Sequence, residues 1–203
     1  QKNKLFLIDL KGFGLSDKPL DDKYSISDQV EVITSFIQKN NLQNLILIGH
    51  SIGGAVALQT ALQYTRMENN LLKGLILLDS PAYKQLLPAF IQILKIPIIN
   101  KFVLALLPAK LCAKLVFKKC FFDDKKITDE LIKNYSEPLR LTGSYHALIK
   151  TAQKLIPSEA DEITKQYREI NVPMLLIWGQ QDQVVPLSTG QKLKQTSPNS
   201  KVV

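Results

Sequence analysis

Ser51 lies in Gly49-His50-Ser51-Ile52-Gly53, where the apolar run Leu45-Ile46-Leu47-Ile48 gives way to the small-residue pattern Gly53-Gly54-Ala55-Val56-Ala57-Leu58. That succession predicts a strand, a sharp turn and a helix. A serine in such a turn is forced into a strained backbone conformation that pushes its hydroxyl clear of the sheet. Glycines two residues to either side leave room for a close strand–helix crossing. The chemistry this permits is attack by Ser51 Oγ on a carbonyl carbon, with the Ile52 amide at the helix start donating to the oxyanion. Gly49, His50 and Gly53 complete this nucleophile elbow; a glycine-rich packing turn is the plain alternative.

Two further segments match in order: Asp9-Leu10-Lys11-Gly12-Phe13-Gly14-Leu15-Ser16-Asp17-Lys18-Pro19 before the elbow and Ile177-Trp178-Gly179-Gln180-Gln181-Asp182-Gln183-Val184-Val185-Pro186 after it. Together the three resemble the α/β-hydrolase superfamily over nearly the whole chain. The likeness is strongest to the capped bacterial branch of serine esterases, lipases and carbon–carbon bond hydrolases. It implies that D-x-x-G-x-G-x-S follows the strand before the elbow and that W-G-x-x-D-x-x-V-P carries the acid of a triad. Serine at the elbow argues against the dehalogenase and epoxide-hydrolase branches, which place an aspartate there.

A serine hydroxyl is a poor nucleophile until a histidine takes its proton, and the histidine needs a carboxylate to orient it. Asp182 follows the apolar run Met174-Leu175-Leu176-Ile177-Trp178, so it falls in a loop at the carboxyl edge of a parallel sheet. Asp79 also ends an apolar run, Leu75-Ile76-Leu77-Leu78. It is the second candidate acid and is expected to pack or cap locally. The chain has two histidines, His50 and His146, and both precede Asp182, whereas the expected order is serine, acid, histidine. His50 occupies the variable elbow position and is expected to shape the pocket or pack. His146, in Gly143-Ser144-Tyr145-His146-Ala147, reads as a packed or exposed helix histidine. The resemblance implies a histidine just beyond Val203 and a His-Gly loop with a second oxyanion donor before Gln1. The expectation is therefore an internal fragment of a larger hydrolase, inactive by itself.

The elements that must position these groups form an α/β pattern: a mostly parallel sheet flanked by helices, with strands at residues 5–10, 45–49, 74–79 and 173–178. Ser27 begins a helix with Asp28 and Glu31 in its first turn and an apolar stripe of Val30, Ile33, Phe36 and Ile37, expected to pack on the sheet. After Asp182 come a helix from Leu187 to Gln195, a turn and the start of a strand at Lys201. Residues 1–81 and 159–203 read as the core. Residues 82–158, punctuated by Pro88, Pro97, Pro108, Pro138 and Pro157, are too long for a simple crossover and read as a helical cap.

The first half of that cap is apolar and basic together, with Lys110, Lys114, Lys118 and Lys119 among Leu111, Leu115, Val116 and Phe117. One reading packs the apolar stripe on the core and along the pocket, with Leu86, Phe90, Leu94, Phe102 and Leu106 facing the substrate. The other lays a cationic, apolar cap on an anionic lipid surface. The net charge of +8 permits either. Nucleic-acid binding is not expected, because the lysines are dispersed and no aromatic-basic motif appears. Cys112 and Cys120 read as free core thiols without disulfide or metal spacing, and no cofactor or metal is expected. No apolar stretch is long enough to span a bilayer, and a cytoplasmic location is expected. The expected function is serine hydrolysis of a small or medium apolar carboxylic ester. The alternatives are a carbon–carbon hydrolase or acyltransferase with the same triad, or a ligand-binding relative that has lost catalysis.

Overall fold

Apolar strands and amphipathic helices alternate along the computed structural model, which describes residues 3–68 and 70–203. In chain order they are α1 (Ile26–Lys39), β1 (Leu45–His50), α2 (Ile52–Arg66), β2 (Leu72–Leu78), α3 (Ala89–Lys95), α4 (Ile99–Leu106), α5 (Ala109–Cys120), α6 (Asp129–Ser136), α7 (Ser144–Lys154), α8 (Ala160–Lys165), β3 (Met174–Ile177), α9 (Leu187–Thr196) and β4 (Ser200–Val202). The four strands form one sheet in the order β1-β2-β3-β4, every pair parallel. Each strand therefore ends at the same edge, which gathers the residues that follow them.

One face of the sheet carries the main core. Leu75 and Leu77 of β2 lie in register with Met174 and Leu176 of β3, and all four are buried with Leu58, Ala61 and Leu62 of α2 and Leu193 of α9. Ile46, Ile48 and Ile177 alternate onto the opposite face and are exposed.

α1 begins one residue before Ser27, because Ser25 and not Ser27 is the cap. The Asp28 amide donates to Ser25 Oγ at 3.1 Å and the Ser25 amide to Asp28 Oδ2 at 2.7 Å, a reciprocal capping box. The helix packs chiefly on α2, not on the sheet as expected, through Ile26 and Val30 against Ala55 and Val56.

The expected strand at residues 5–10 does not form. Gln1 and Lys2 lie outside the described residues. The rest of the segment makes no ladder with any strand, and Leu5, Leu7 and Ile8 are exposed. It is held instead by Phe6, edge-on to Phe36 with ring centroids 5.6 Å apart, and by Leu10 against the α1–α2 core. Apolar residues alone do not make a strand when no neighbour takes its backbone hydrogen bonds.

Residues 82–158 are helical as read, and their prolines sit at boundaries. Pro88 and Pro108 precede α3 and α5, Pro97 separates α3 from α4, Pro138 opens a 3-10 turn, and Pro157 lies between α7 and α8. Among the described residues no helix is long and apolar enough to cross a membrane.

Candidate active site

At the junction of β1 and α2, Ser51 has φ 51° and ψ −124°. Positive φ is costly for a residue with a Cβ. It persists here because both neighbours are fixed. The Ser51 amide donates to Leu78 O at 3.0 Å, continuing the ladder between β1 and β2, and the Ser51 carbonyl accepts from the Gly54 and Ala55 amides at 2.8 and 3.2 Å. With its backbone committed on both sides, the side chain is turned away from the sheet. Its hydroxyl has no hydrogen bond to the described residues.

The glycines have different roles from those expected. A Cβ on Gly49 would collide with the Gly53 carbonyl, and one on Gly54 would collide with the Ser80 hydroxyl, whereas one on Gly53 would meet open space. Close crossing is thus the work of Gly49 and Gly54. Ser80, fully buried, braces this crossing by donating to Leu78 O at 2.9 Å. The amides of Ile52 and Gly53 have no partner among the described residues, so the first turn of α2 presents free N–H groups beside Ser51.

Ser51 and Ile52 line an apolar cavity of about 260 Å³. Its walls come from Leu87, Phe90 and Ile91 at α3, Val116 and Cys120 of α5, the Leu155-Ile156-Pro157 corner, and Val184 and Val185 of the Asp182 loop. Of the five residues expected to face the substrate, Phe90 lines the cavity. Leu86, Phe102 and Leu106 are exposed, and Leu94 is half-buried outside the cavity wall. The cysteines are not core thiols: Cys112 is half-buried and Cys120 exposed along the cavity. Desolvation pushes the Cys120 thiol up, and the nearby Asp182 carboxylate adds to the shift.

Asp182 lies beyond the end of β3. Its Oδ1 accepts from the Val184 and Val185 amides at 2.7 and 2.9 Å, while Oδ2 has no hydrogen bond among the described residues. One oxygen is used to fix the turn and the other is open. The loop is held from below by Trp178, whose indole Nε1 donates to Val185 O at 3.0 Å. Asp79, at φ 43°, accepts the Gly179 amide on Oδ1 at 2.8 Å. It ties the end of β2 to the start of the Asp182 loop, a long-range brace and not a local cap.

The histidines stand apart from this arrangement. His146, on α7, has Nε2 2.7 Å from Asp21 O and its ring edge-on to Tyr24 at 5.9 Å. It joins α7 to the segment after the glycine-rich loop. His50 is exposed at the end of β1 and makes no hydrogen bond to Ser51. The loop at Asp9–Ser16 is also structural in its contacts. Asp9 Oδ2 accepts the Leu15 amide at 2.8 Å, Ser16 Oγ donates to Asp9 O at 2.6 Å, and at Gly14 a Cβ would overlap the Asp9 carboxylate. Three residues at the site carried no signal in the sequence. Ser80 and Cys120 belong to no motif, and Gln85, which donates to Val184 O at 2.9 Å, lies in an irregular segment.

Comparison with known proteins agrees with this geometry. Residues 3–203 match the family described by the alpha/beta hydrolase fold. The chain is 28% identical over 200 residues to an uncharacterized hydrolase, YugF, of Bacillus subtilis, covering 98% of this chain and 70% of that protein. It is 27% identical over 201 residues to a 2-hydroxy-6-oxo-6-phenylhexa-2,4-dienoate hydrolase of Burkholderia cepacia, covering 98% and 68%. An esterase structure from Exiguobacterium antarcticum superposes with a TM-score of 0.75 at 21% identity, covering 96% of this chain and 70% of that one. The strand–serine–helix turn, the parallel sheet and the match along the whole described chain lead to one conclusion: this protein belongs to the α/β-hydrolase family.

Proposed function

We propose that this protein is a serine hydrolase acting on a small or medium apolar carboxylic ester, with Ser51 as nucleophile. The observation that carries the reading is the Ser51 turn. A strained backbone aims an unbonded hydroxyl into an apolar cavity, next to free amides at the start of α2. In the reaction, Ser51 Oγ attacks the carbonyl carbon as its proton passes to a base, and the Ile52 amide donates to the oxyanion. The carbon–oxygen bond to the alcohol then breaks, and the alcohol leaves with the proton. Water repeats the attack to free the acid and restore the serine.

Asp182 Oδ2 is the group we assign to orient the base. We assign the role to neither His50 nor His146, since His146 Nε2 is taken up by Asp21 O and His50 makes no hydrogen bond to Ser51. A histidine presented at the carboxyl end of β4 would fill the role. Trp178 donates its amide to Val203 O at 3.1 Å, so that end runs alongside the start of the Asp182 loop. Residues 82–158 act as the cap, with α3 and α5 supplying apolar wall to the cavity. The same nucleophile on a carbon–carbon bond is a second reading, favoured by the name of the Burkholderia relative.

A series of p-nitrophenyl esters from acetyl to hexanoyl tests the substrate class on a chain that carries the histidine after β4. A methylene is worth about 0.8 kcal/mol when buried, so kcat/KM should climb by up to about four-fold per carbon until the cavity fills. Ser51→Ala should remove the activity throughout. Flat or falling kcat/KM contradicts the apolar substrate, and activity surviving Ser51→Ala contradicts the nucleophile.

A further inference from the structure

Between Ser80 and Phe122 the sequence holds seven lysines and no aspartate or glutamate. The rest of the chain is almost neutral, with nineteen cations against eighteen acids. This same stretch forms α3, α4 and α5, and its apolar residues do not all turn inward. On α4, Asn100 is 3% exposed and Leu104 is buried, while Ile99, Phe102 and Leu106 form one outward stripe at helical spacing, with Phe102 62% and Leu106 75% exposed. Asn100 points in beside Leu104, while three large apolar side chains point out, so the apolar surface of α4 is not used up by packing within the fold. On α5, Ala109, Ala113 and Phe117 are buried. Lys110, Lys114 and Lys118 make an exposed stripe four residues apart beside the exposed Leu111 and Leu115, and Phe122 follows the helix, largely exposed.

We propose that the α4–α5 surface seats on an anionic lipid bilayer. Clustered large exposed apolar side chains mark an interaction surface. The lysines that flank Leu111 and Leu115 on α5 can reach up to headgroup phosphates while their stems lie on the apolar surface. A second copy of the chain is a poor cover, because it would bring an unrelieved lysine cluster against its own image. An anionic bilayer satisfies both features at once: acyl chains take Phe102 and Leu106, and headgroups take Lys110, Lys114 and Lys118. The opposite sides of α3 and α5 supply Phe90, Ile91, Val116 and Cys120 to the cavity. Docking therefore brings the Ser51 site to within one helix thickness, about 10 Å, of the membrane and favours a bilayer-borne acyl ester as substrate. That consequence rests on the serine-hydrolase reading, whereas the docking does not.

Cosedimentation of the 203-residue chain with vesicles tests the docking. Binding to phosphatidylcholine mixed with phosphatidylglycerol should exceed binding to phosphatidylcholine alone by about ten-fold or more, at roughly five-fold per engaged lysine. It should fall as salt is raised from about 0.1 M to about 1 M, where the screening length drops to about 3 Å. Lys114→Gln with Lys118→Gln, and separately Phe102→Ser with Leu106→Ser, should each weaken it by about ten-fold or more, with unchanged far-UV circular dichroism. No binding to either vesicle, equal binding to both, or binding indifferent to Phe102→Ser with Leu106→Ser overturns the proposal. So does a concentration-dependent dimer that those two serines dissociate, which makes a second copy the cover. Turnover of p-nitrophenyl butyrate by a chain with the histidine after β4 is read separately. If it is absent while vesicle binding holds, the hydrolase reading fails and the docking stands.

Discussion

The carboxyl edge of the sheet and the α3–α5 region meet at one cavity, the latter through α3 and α5, yet they are specified in different ways. At the sheet edge the backbone dictates residue type. Ser51 is held at positive φ, Gly49 and Gly54 leave no room for a Cβ, and Asp182 is fixed by two amides. In α3–α5 the backbone asks little. None of the three helices has a side-chain cap, and Ile98 before α4 sits at φ 75°, a conformation that a β-branched residue adopts at a cost. What defines that region is which face of each helix is covered. Residue type is thus dictated by backbone geometry on one side of the cavity, while the other side, from α3 and α5, is specified only by which apolar faces are covered.

Exchanging the acids is the hardest test of the first half of this contrast. In a chain carrying the histidine after β4, Asp182→Asn should lower kcat by about four orders of magnitude, since a mis-oriented base cannot take the Ser51 proton. Asp79→Asn, which only loosens the brace on Gly179, should cost far less. Equal losses would mean that the two carboxylates share the role, and steady-state ester kinetics on the pair decides it.

Stability measurements separate the covered faces from the open ones. Phe117, buried against Phe121 and Tyr135 at 5.6 and 4.9 Å, should cost about 3–5 kcal/mol when cut to alanine. Phe102→Ser, on the open face of α4, should stay within about 0.5 kcal/mol. A large loss at Phe102 in urea unfolding would show that α4 is covered within the fold.

At the elbow, Gly54→Ala should destabilise by about 1–3 kcal/mol through its clash with Ser80, and Gly49→Ala by at least as much against backbone. Gly53→Ala meets open space inside a helix and should be neutral or gain up to about 1 kcal/mol. Thermal unfolding of the three variants reads the order directly.

The smallest effect links the two regions. Because desolvation and the Asp182 carboxylate hold the Cys120 thiol above its ordinary range, less thiolate is present near pH 8 than in a free cysteine. Asp182→Asn removes the second cause and should speed Cys120 alkylation by iodoacetamide a few-fold at that pH. An unchanged rate would separate Asp182 from that wall of the cavity.

The sequence displayed the sheet edge well because strained turns admit few residues. Gly-x-Ser-x-Gly between an apolar strand and a small-residue helix has a physical reading without any structure, and Asp182 could be placed from the strand before it. Helical spacing was less informative in residues 82–158. Phe90, Phe102 and Leu106 all fall on apolar stripes, but a period of 3.6 says that a face exists, not what it faces, and two of the three point away from the cavity. The Leu5–Leu10 segment shows the same limit, since strand pairing depends on a partner elsewhere in the chain. Ser80 and Gly54 were illegible for a related reason: their importance lies in a single contact between residues distant in sequence.

Mass spectrometry of the acyl-enzyme tests the central assignment most directly. A chain with the histidine after β4 is mixed with p-nitrophenyl butyrate, quenched in acid during turnover and digested. The butyryl group should be found on the peptide carrying Ser51 and should vanish in Ser51→Ala together with turnover. A butyryl group on any other residue, or turnover persisting in Ser51→Ala, would contradict it.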